Sequence, residues 1–153
     1  MDSRPALVRS IRPDRIPLSL AQQRMWLINR IDPDSPAYNM PFALRLTGTL
    51  DVPALRLAVA DVLERHEALR TRFPADTDGI PYQEILPADA VLPEGLVVEH
   101  DTTDLMDTVA GLMSTGFDVT ASVPLRIRVF SSGQEHLFVL VVHHISADGA
   151  SLA

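Results

Sequence analysis

Apolar residues recur along three segments at a spacing of about 3.6 residues, which is typical of an amphipathic helix. The segments are 20–31, 52–66 and 104–115. Ser19 stands where it can cap the first helix, and Asp51 stands in the same place before the second. The pattern therefore predicts three helices, each with one apolar face.

A period of two, typical of strands, runs from Asn39 to Gly48. It predicts a strand with one buried face, formed by Met40, Phe42, Leu44 and Leu46. Proline, glycine and aspartate separate further extended segments and predict turns between them. We expect 69–73 and 81–86 to form one hairpin, 124–130 and 136–142 another, 96–100 a separate strand and 87–95 a loop.

The segment 137–142 is apolar at every position. Strands of this composition are usually covered on both faces, so we expect it in the interior of a sheet between helices. The order of elements predicts a mixed α/β (α+β) fold, with a central mixed sheet and flanking helices. Residues 1–17 contain prolines among charged residues and are expected to form a linker or an extended lead-in to a folded unit over 18–153.

The composition excludes several classes of protein. With 46% hydrophobic residues, the 153-residue chain can bury a core. A formal charge of −7 with scattered basic residues disfavours nucleic acid as a partner. The absence of cysteine removes disulfide frameworks and thiol catalysis. No signal-peptide pattern or membrane-length apolar run is present, so we expect a soluble cytoplasmic protein without membrane partners.

Two histidines and a carboxylate follow the apolar strand in the segment HHISADG, residues 143–149. The end of a buried strand is a common place for reactive groups. Because successive side chains on a strand point to opposite faces, we expect one of His143 and His144 to be chemical and the other structural. A neutral imidazole suits proton transfer near neutral pH. Asp148 is placed to bind the loop backbone or an arginine, and Gly149 permits a turn or a close approach.

On local features alone, other interpretations of these residues stay open. Paired histidines after a strand serve as buried hydrogen-bonding groups as often as they serve as catalysts. His and Asp also bind metals, but adjacent histidines diverge on a strand, and His66, His100 and His136 have no evident reason to join them. Serine catalysis has Ser146 or Ser151 as candidates, but no Gly-x-Ser-x-Gly elbow surrounds either. We therefore expect no metal site.

Three motifs resemble those of one superfamily, and they occur in its order. HHISADG matches the HHxxxDG signature of the chloramphenicol-acetyltransferase-like superfamily, which includes the condensation and epimerization domains of nonribosomal peptide synthetases. PLSLAQQRMWLINRI at 17–31 resembles the opening motif of condensation domains, and RHEALRTRF at 65–73 resembles their RHExLRTxF motif. SLAQQRMW and the AYNMP segment at 37–41 are similar to the subclass that joins an L-configured donor to an L-aminoacyl acceptor.

The resemblance implies a role for each residue of the histidine motif. His144, the second histidine, matches the position usually assigned to catalysis, and His143 is expected to support it. Asp148 is expected to be structural, often holding the motif through an arginine, and Gly149 to keep the loop close to the reaction centre.

Residues outside the histidine motif are expected to be structural. Arg65 and Arg70 match two arginines of the second motif, which we expect to organise the neighbourhood of the site. Met25 and Trp26 lie at helical spacing and are predicted to pack in the core. Ala150 departs from the Trp or Val often found after the glycine, which bears on substrate or subclass.

The resemblance also implies a reaction and its partners. Donor and acceptor peptidyl carrier proteins would each deliver a thioester on a phosphopantetheine arm, and the domain, which binds no cofactor directly, would join them through an amide. An adenylation domain would lie nearby in the parent synthetase. The family has two acetyltransferase-like lobes, and the chain resembles the N-terminal lobe, so we expect it to be truncated and inactive alone. A related acyltransferase, an epimerization domain and an inactive carrier-binding module are the alternatives.

Overall fold

The structure is a computed structural model that describes residues 11–100 and 103–152. Two β-sheets and four helices make up most of this part of the chain. In chain order, the elements are β1 Ile16–Pro17, α1 Leu20–Ile31, β2 Asn39–Thr47, α2 Val52–Arg65, β3 Thr71–Arg72, β4 Tyr82–Ile85, α3 Ala88–Gly95, β5 Leu96–His100, α4 Leu105–Ser114, β6 Leu125–Ser132 and β7 Glu135–His143. Short 3₁₀ helices cover Glu67–Arg70 and Gly149–Leu152.

The larger sheet has the strand order β2-β7-β6-β5. β7 is antiparallel to both neighbours, whereas β5 runs parallel to β6, so the predicted mixed sheet is confirmed. On one face of β7, Val139 and Val141 are fully buried against α1 and α4, and on the other Val142 packs with α2 and α3. These contacts confirm the interior position predicted from the uniform apolarity of the strand.

The predicted capping of the first two helices is confirmed. The Ser19 side chain accepts a hydrogen bond from Gln22 N–H, and the Asp51 side chain accepts one from Ala54 N–H. Of the apolar stripe predicted for α2, Val59 and Leu63 are buried against the sheet and Leu55 packs beside them. Val62, by contrast, is 48% exposed.

The strand predicted over 39–48 is present, but its apolar face is not buried as expected. Phe42 is 36% exposed and Leu44 is 59% exposed. Both lie on the edge strand β2, and the described helices cover the β6 side of this face rather than the β2 end. Alternation predicts which residues share a face, but it cannot predict whether another element covers that face.

Pro41 interrupts the free edge of the larger sheet. His144 N–H donates to Tyr38 O at 2.9 Å, and Gly48 N–H donates to Gln134 O at 2.8 Å. In this register, the backbone N–H and C=O groups of the even-numbered residues of β2 point towards β7, and those of the odd-numbered residues point away from it. Pro41, which has no N–H, therefore faces outward, where its missing donor breaks no ladder bond. A proline at this position also discourages pairing with another strand.

The prediction of a loop over 87–95 is wrong, because the helix α3 occupies Ala88–Gly95. Proline and glycine in this segment favour a loop, but Val91 is only 4% exposed and packs against β6 and α2. Burial of an apolar side chain outweighs weak local propensity, which explains the difference.

Of the predicted lead-in, residues 16–17 form a strand, residues 14–15 form a bend, and residues 1–10 lie outside the described part of the chain. Ile16–Pro17 pair with β4 in the small sheet β1-β4-β3. Arg12 forms an ion pair with Glu67 at 2.8 Å. The hairpin predicted over 69–73 and 81–86 is confirmed in shortened form, since its two strands are Thr71–Arg72 and Tyr82–Ile85.

Candidate active site at the end of the central strand

His143, the last residue of β7, is 1% exposed. Its Nδ1 accepts a hydrogen bond from Ile145 N–H at 3.1 Å, which places the ring hydrogen on Nε2. Its ring centroid lies 5.7 Å from that of Tyr38 and 6.2 Å from that of Phe117, which it meets edge-on. Burial, followed by the nearby charge of His144, lowers the pKa of His143 to about 4. A buried, neutral and fully oriented imidazole of this kind fits a structural role.

His144 is exposed at the start of the loop that follows β7. Its backbone N–H donates to Tyr38 O, and its Nδ1 lies 2.8 Å from Ala147 O. A carbonyl oxygen can only accept, so Nδ1 carries the hydrogen of the neutral ring and Nε2 holds the lone pair. Nε2 makes no hydrogen bond to any described residue, which leaves it available to a reactant. The two histidines thus point to different environments, as strand geometry predicts.

A cavity of about 410 Å³ lies beside His144, between the first turns of α1 and the loop 144–148. Gln22 joins the two walls, because its Nε2 donates to Ile145 O at 3.4 Å while its Oε1 accepts from Ser19 N–H at 2.9 Å. The sequence predicted α1 but not its contact with the loop. The Ser19-x-x-Gln22 spacing signals only a capping box, so the position of Gln22 at the site was missed.

Asp148 binds the loop itself. Its Oδ1 accepts hydrogen bonds from the Ser151 hydroxyl at 2.7 Å and from Ser151 N–H at 2.9 Å, and these bonds, the hydroxyl first, lower the pKa of Asp148. No arginine pairs with it among the described residues. Gly149 has no positive φ, and a Cβ placed on it would meet no described atom within 4 Å. The close approach predicted for Gly149 therefore stays a prediction.

Phe117, which sequence reasoning also missed, is fixed against His143 from several sides. Asn29 is buried and donates to Phe117 O at 2.7 Å. The guanidinium of Arg126 lies 3.7 Å from the Phe117 ring centroid and donates to Gly116 O. These contacts hold an aromatic edge against the buried imidazole, and they connect residues from three separate elements.

A family model described as the condensation domain matches residues 13–153. The chain belongs to the condensation-domain family. Among curated relatives, a dimodular nonribosomal peptide synthase of Bacillus subtilis is 44% identical over 97% of this chain and 6% of its own length. An isonitrile lipopeptide synthase of Mycobacterium tuberculosis is 42% identical over 96% of this chain and 6% of its own length. The chain therefore matches a small part of each of these peptide synthetases, and the family model identifies the matched part as condensation domain.

Solved structures support the same assignment. The first condensation domain of the calcium-dependent antibiotic synthetase, in complex with a substrate analogue, superposes with a TM-score of 0.76 at 27% identity. This alignment covers 92% of the chain and 35% of that structure. The X-domain from teicoplanin biosynthesis, in complex with OxyB, superposes with a TM-score of 0.85 at 39% identity and covers 98% of the chain and 32% of that structure. The chain thus spans about a third of these structures, and it has their chloramphenicol-acetyltransferase-like fold.

Arg70 ties the last turn of α2 to the end of the small sheet. Its Nε donates to Leu63 O at 2.8 Å, and its Nη1 donates to Leu86 O at 2.6 Å. These bonds satisfy a carbonyl in the last turn of α2 and one at the end of the small sheet. Arg65 is exposed and makes no hydrogen bond or ion pair within the described ranges. The organising role predicted for Arg65 therefore remains untested.

A second cavity, also about 410 Å³, lies between α2 and the larger sheet and is mostly apolar. Ser146 and Ala147 line both this cavity and the one beside His144, so the loop 144–148 separates the two cavities. The Ser146 hydroxyl is buried without a hydrogen-bond partner in the described part of the chain. None of the described helices is long and apolar enough to cross a membrane.

Proposed function

We propose that this chain supplies the histidine-bearing side of an amide-forming condensation site. The observation that carries the proposal is the contrast between the two imidazoles. His144 is exposed, with Nδ1 held by Ala147 O and Nε2 unbonded, whereas His143 is buried and neutral. An unbonded Nε2 on an exposed imidazole whose tautomer is fixed by its own loop suits proton transfer.

The proposed reaction joins two thioesters, each on the phosphopantetheine arm of a peptidyl carrier protein. The amine nitrogen of the aminoacyl acceptor attacks the carbonyl carbon of the donor thioester and forms the C–N bond. The tetrahedral intermediate then collapses, the C–S bond breaks, and the donor carrier leaves as a thiolate. His144 Nε2 either accepts the proton from the amine and returns it to the thiolate, or positions the amine and stabilises the intermediate.

Finer features of the proposal rest on the motif resemblance. We propose an L-configured donor and an L-aminoacyl acceptor, because SLAQQRMW and the 37–41 segment are similar to that subclass. We also propose that a second lobe completes the reaction channel, that an adenylation domain lies in the same synthetase, and that the protein works in the cytoplasm. The open cavity beside His144 is consistent with a partner lobe opposite α1.

The test uses the two-lobed parent domain with preloaded carriers. His144→Ala should lower peptide formation by about a hundredfold or more, since general acid–base catalysis contributes about 10²–10⁴-fold. His143→Asn keeps an acceptor for Ile145 N–H and is expected to keep most of the activity. Equal activity of His144→Ala and the wild type would remove His144 from the mechanism. The pH profile of kcat separates the two roles of His144: a bell-shaped profile indicates proton transfer, and a flat profile indicates positioning.

A second candidate is a protein-binding role without catalysis. The observation that favours it is the 39% identity to the X-domain that was solved in complex with OxyB, compared with 27% for the substrate-analogue complex of a condensation domain. Under this reading, His144→Ala leaves the protein's function unchanged, whereas surface substitutions that block partner binding abolish it. The His144 assay therefore decides between the two candidates.

A further inference from the structure

We propose that Gln22 is a positioning residue that fixes the loop carrying His144 through the carbonyl of Ile145. The catalytic consequence rests on the proposed function, but the structural effect does not. One amide group makes two bonds in opposite directions: its Oε1 accepts from Ser19 N–H at 2.9 Å and its Nε2 donates to Ile145 O at 3.4 Å. Because both ends of a planar amide are engaged, the first turn of α1 and the loop are held in one relative position.

The bond falls where the loop has no other polar support from α1. His144 N–H and Ser146 N–H bind Tyr38 O and His143 O, so both bonds attach the loop to the β2–β7 side. In the described ranges, Gln22 donates the one hydrogen bond that runs directly from α1 to 144–148. Ile145 is 3% exposed in the apolar core that also contains part of α1. Apolar packing is non-directional, so it holds the loop near the helix without fixing its orientation. The hydrogen bond has a preferred geometry and therefore fixes the orientation of the loop.

The choice of glutamine at this position supports the proposal. Either Gln or Glu at the third helical position completes a capping box with Ser19. A carboxylate near a helix N-terminus also interacts favourably with the helix dipole, so Glu would serve α1 at least as well. A glutamate cannot donate to Ile145 O, however, and would place a negative oxygen beside a carbonyl oxygen. The amide nitrogen of Gln22 therefore serves the loop, whereas its oxygen serves the helix cap.

The first test is Gln22→Glu in the 153-residue chain, followed by native-state amide hydrogen exchange. The capping acceptor is kept, so protection of Ser19 N–H should persist. Exchange of His144 and Ser146 N–H should accelerate about fivefold, which corresponds to the net value of one hydrogen bond. Gln23→Glu is the matched control, because Gln23 is the next residue on α1 and its Nε2 donates to Leu18 O instead. It should leave the exchange of the loop unchanged.

The second test repeats Gln22→Glu in the two-lobed parent domain. A displaced catalytic group lowers the rate of the chemical step, so kcat is expected to fall about tenfold while KM changes by less than about twofold. Unchanged exchange at His144 and Ser146 in Gln22→Glu would overturn the proposal, whatever the activity shows. If loop exchange accelerates but His144→Ala is fully active, the positioning contact stands and the proposed catalysis fails.

Discussion

Gly116 offers the sharpest test of how this fold is packed. It lies between α4 and Phe117, and the chain after α1 crosses directly over it. A Cβ added to Gly116 would lie 2.6 Å from the carbonyl carbon and 2.7 Å from the Cα of Asp34, and would also meet the Pro33 carbonyl oxygen. These are backbone atoms, which cannot rotate away as the end of a side chain can. The perturbation is therefore Gly116→Ala.

The expected cost follows from that geometry. Overpacking that forces backbone shifts typically destabilises by about 1–3 kcal/mol, and a clash with the backbone of two consecutive residues belongs at the upper end, about 3 kcal/mol. Gly111→Ala is the matched control, because Gly111 is exposed within α4 and an added Cβ meets nothing within 4 Å. Alanine is favoured over glycine inside a helix by about 0.5–1 kcal/mol, so the control should stabilise the chain.

Urea unfolding followed by the fluorescence of Trp26 measures both effects, because Trp26 is the single tryptophan and its indole N–H donates to Phe73 O within the fold. With an m-value of about 1–3 kcal/mol/M, a loss of about 3 kcal/mol lowers the midpoint by roughly 1–3 M. A free energy of unfolding for Gly116→Ala within about 0.5 kcal/mol of the wild type would refute the close packing of 33–34 on Gly116.

Three further predictions concern other parts of the molecule. Since His143 binds its proton with a pKa of about 4 when folded and near 6.5 when unfolded, the unfolded state holds more protons between these values. Stability should fall by up to about 3 kcal/mol as the pH drops from about 6.5 to about 4, and His143→Asn should remove this loss in pH-dependent urea melts. Ser151→Ala should raise the pKa of Asp148 in carboxyl NMR titration, because it removes the bond that chiefly lowers it; an unchanged pKa would contradict the assigned contact. Phe42 and Leu44 form an exposed apolar patch on β2, through which we expect copies of the chain to self-associate. Leu44→Ser should reduce this self-association in sedimentation while changing the free energy of unfolding by less than about 0.5 kcal/mol, because Leu44 is 59% exposed; unchanged association would show that other surfaces meet.

The sequence predicted elements best where one local rule was sufficient. Ser19 and Asp51 begin helices because capping depends on a few neighbouring residues. The all-apolar run 137–142 lies in the interior because nothing polar interrupts it. The same reasoning was wrong for 87–95, where burial of Val91 outweighs Pro and Gly, and for the apolar face of β2, where burial depends on a covering element that alternation cannot report.

The candidate site was predicted in part. Strand alternation separated the environments of His143 and His144 correctly, because it depends only on the geometry of one strand. The contacts of Gln22 and Phe117 join residues more than 20 positions apart, and no local pattern carries that information. A tertiary contact of this kind leaves no periodic trace in a single sequence.

The peptide of Ile145 shows why activity alone cannot assign a role to His143. Its N–H donates to His143 Nδ1 and its carbonyl accepts from Gln22 Nε2. Two side chains therefore hold the backbone of Ile145, the residue that follows His144. Removing either partner moves His144 without touching a substrate.

A loss of activity in His143→Ala therefore fits a structural role as well as a chemical one, whereas His143→Asn keeps the acceptor and removes the imidazole. If His143→Ala and Gln22→Glu act through the same loop, their effects on exchange of Ser146 N–H should combine non-additively in the double variant. Strictly additive effects would mean that the two contacts hold the loop independently, and the shared role of Ile145 would have to be abandoned.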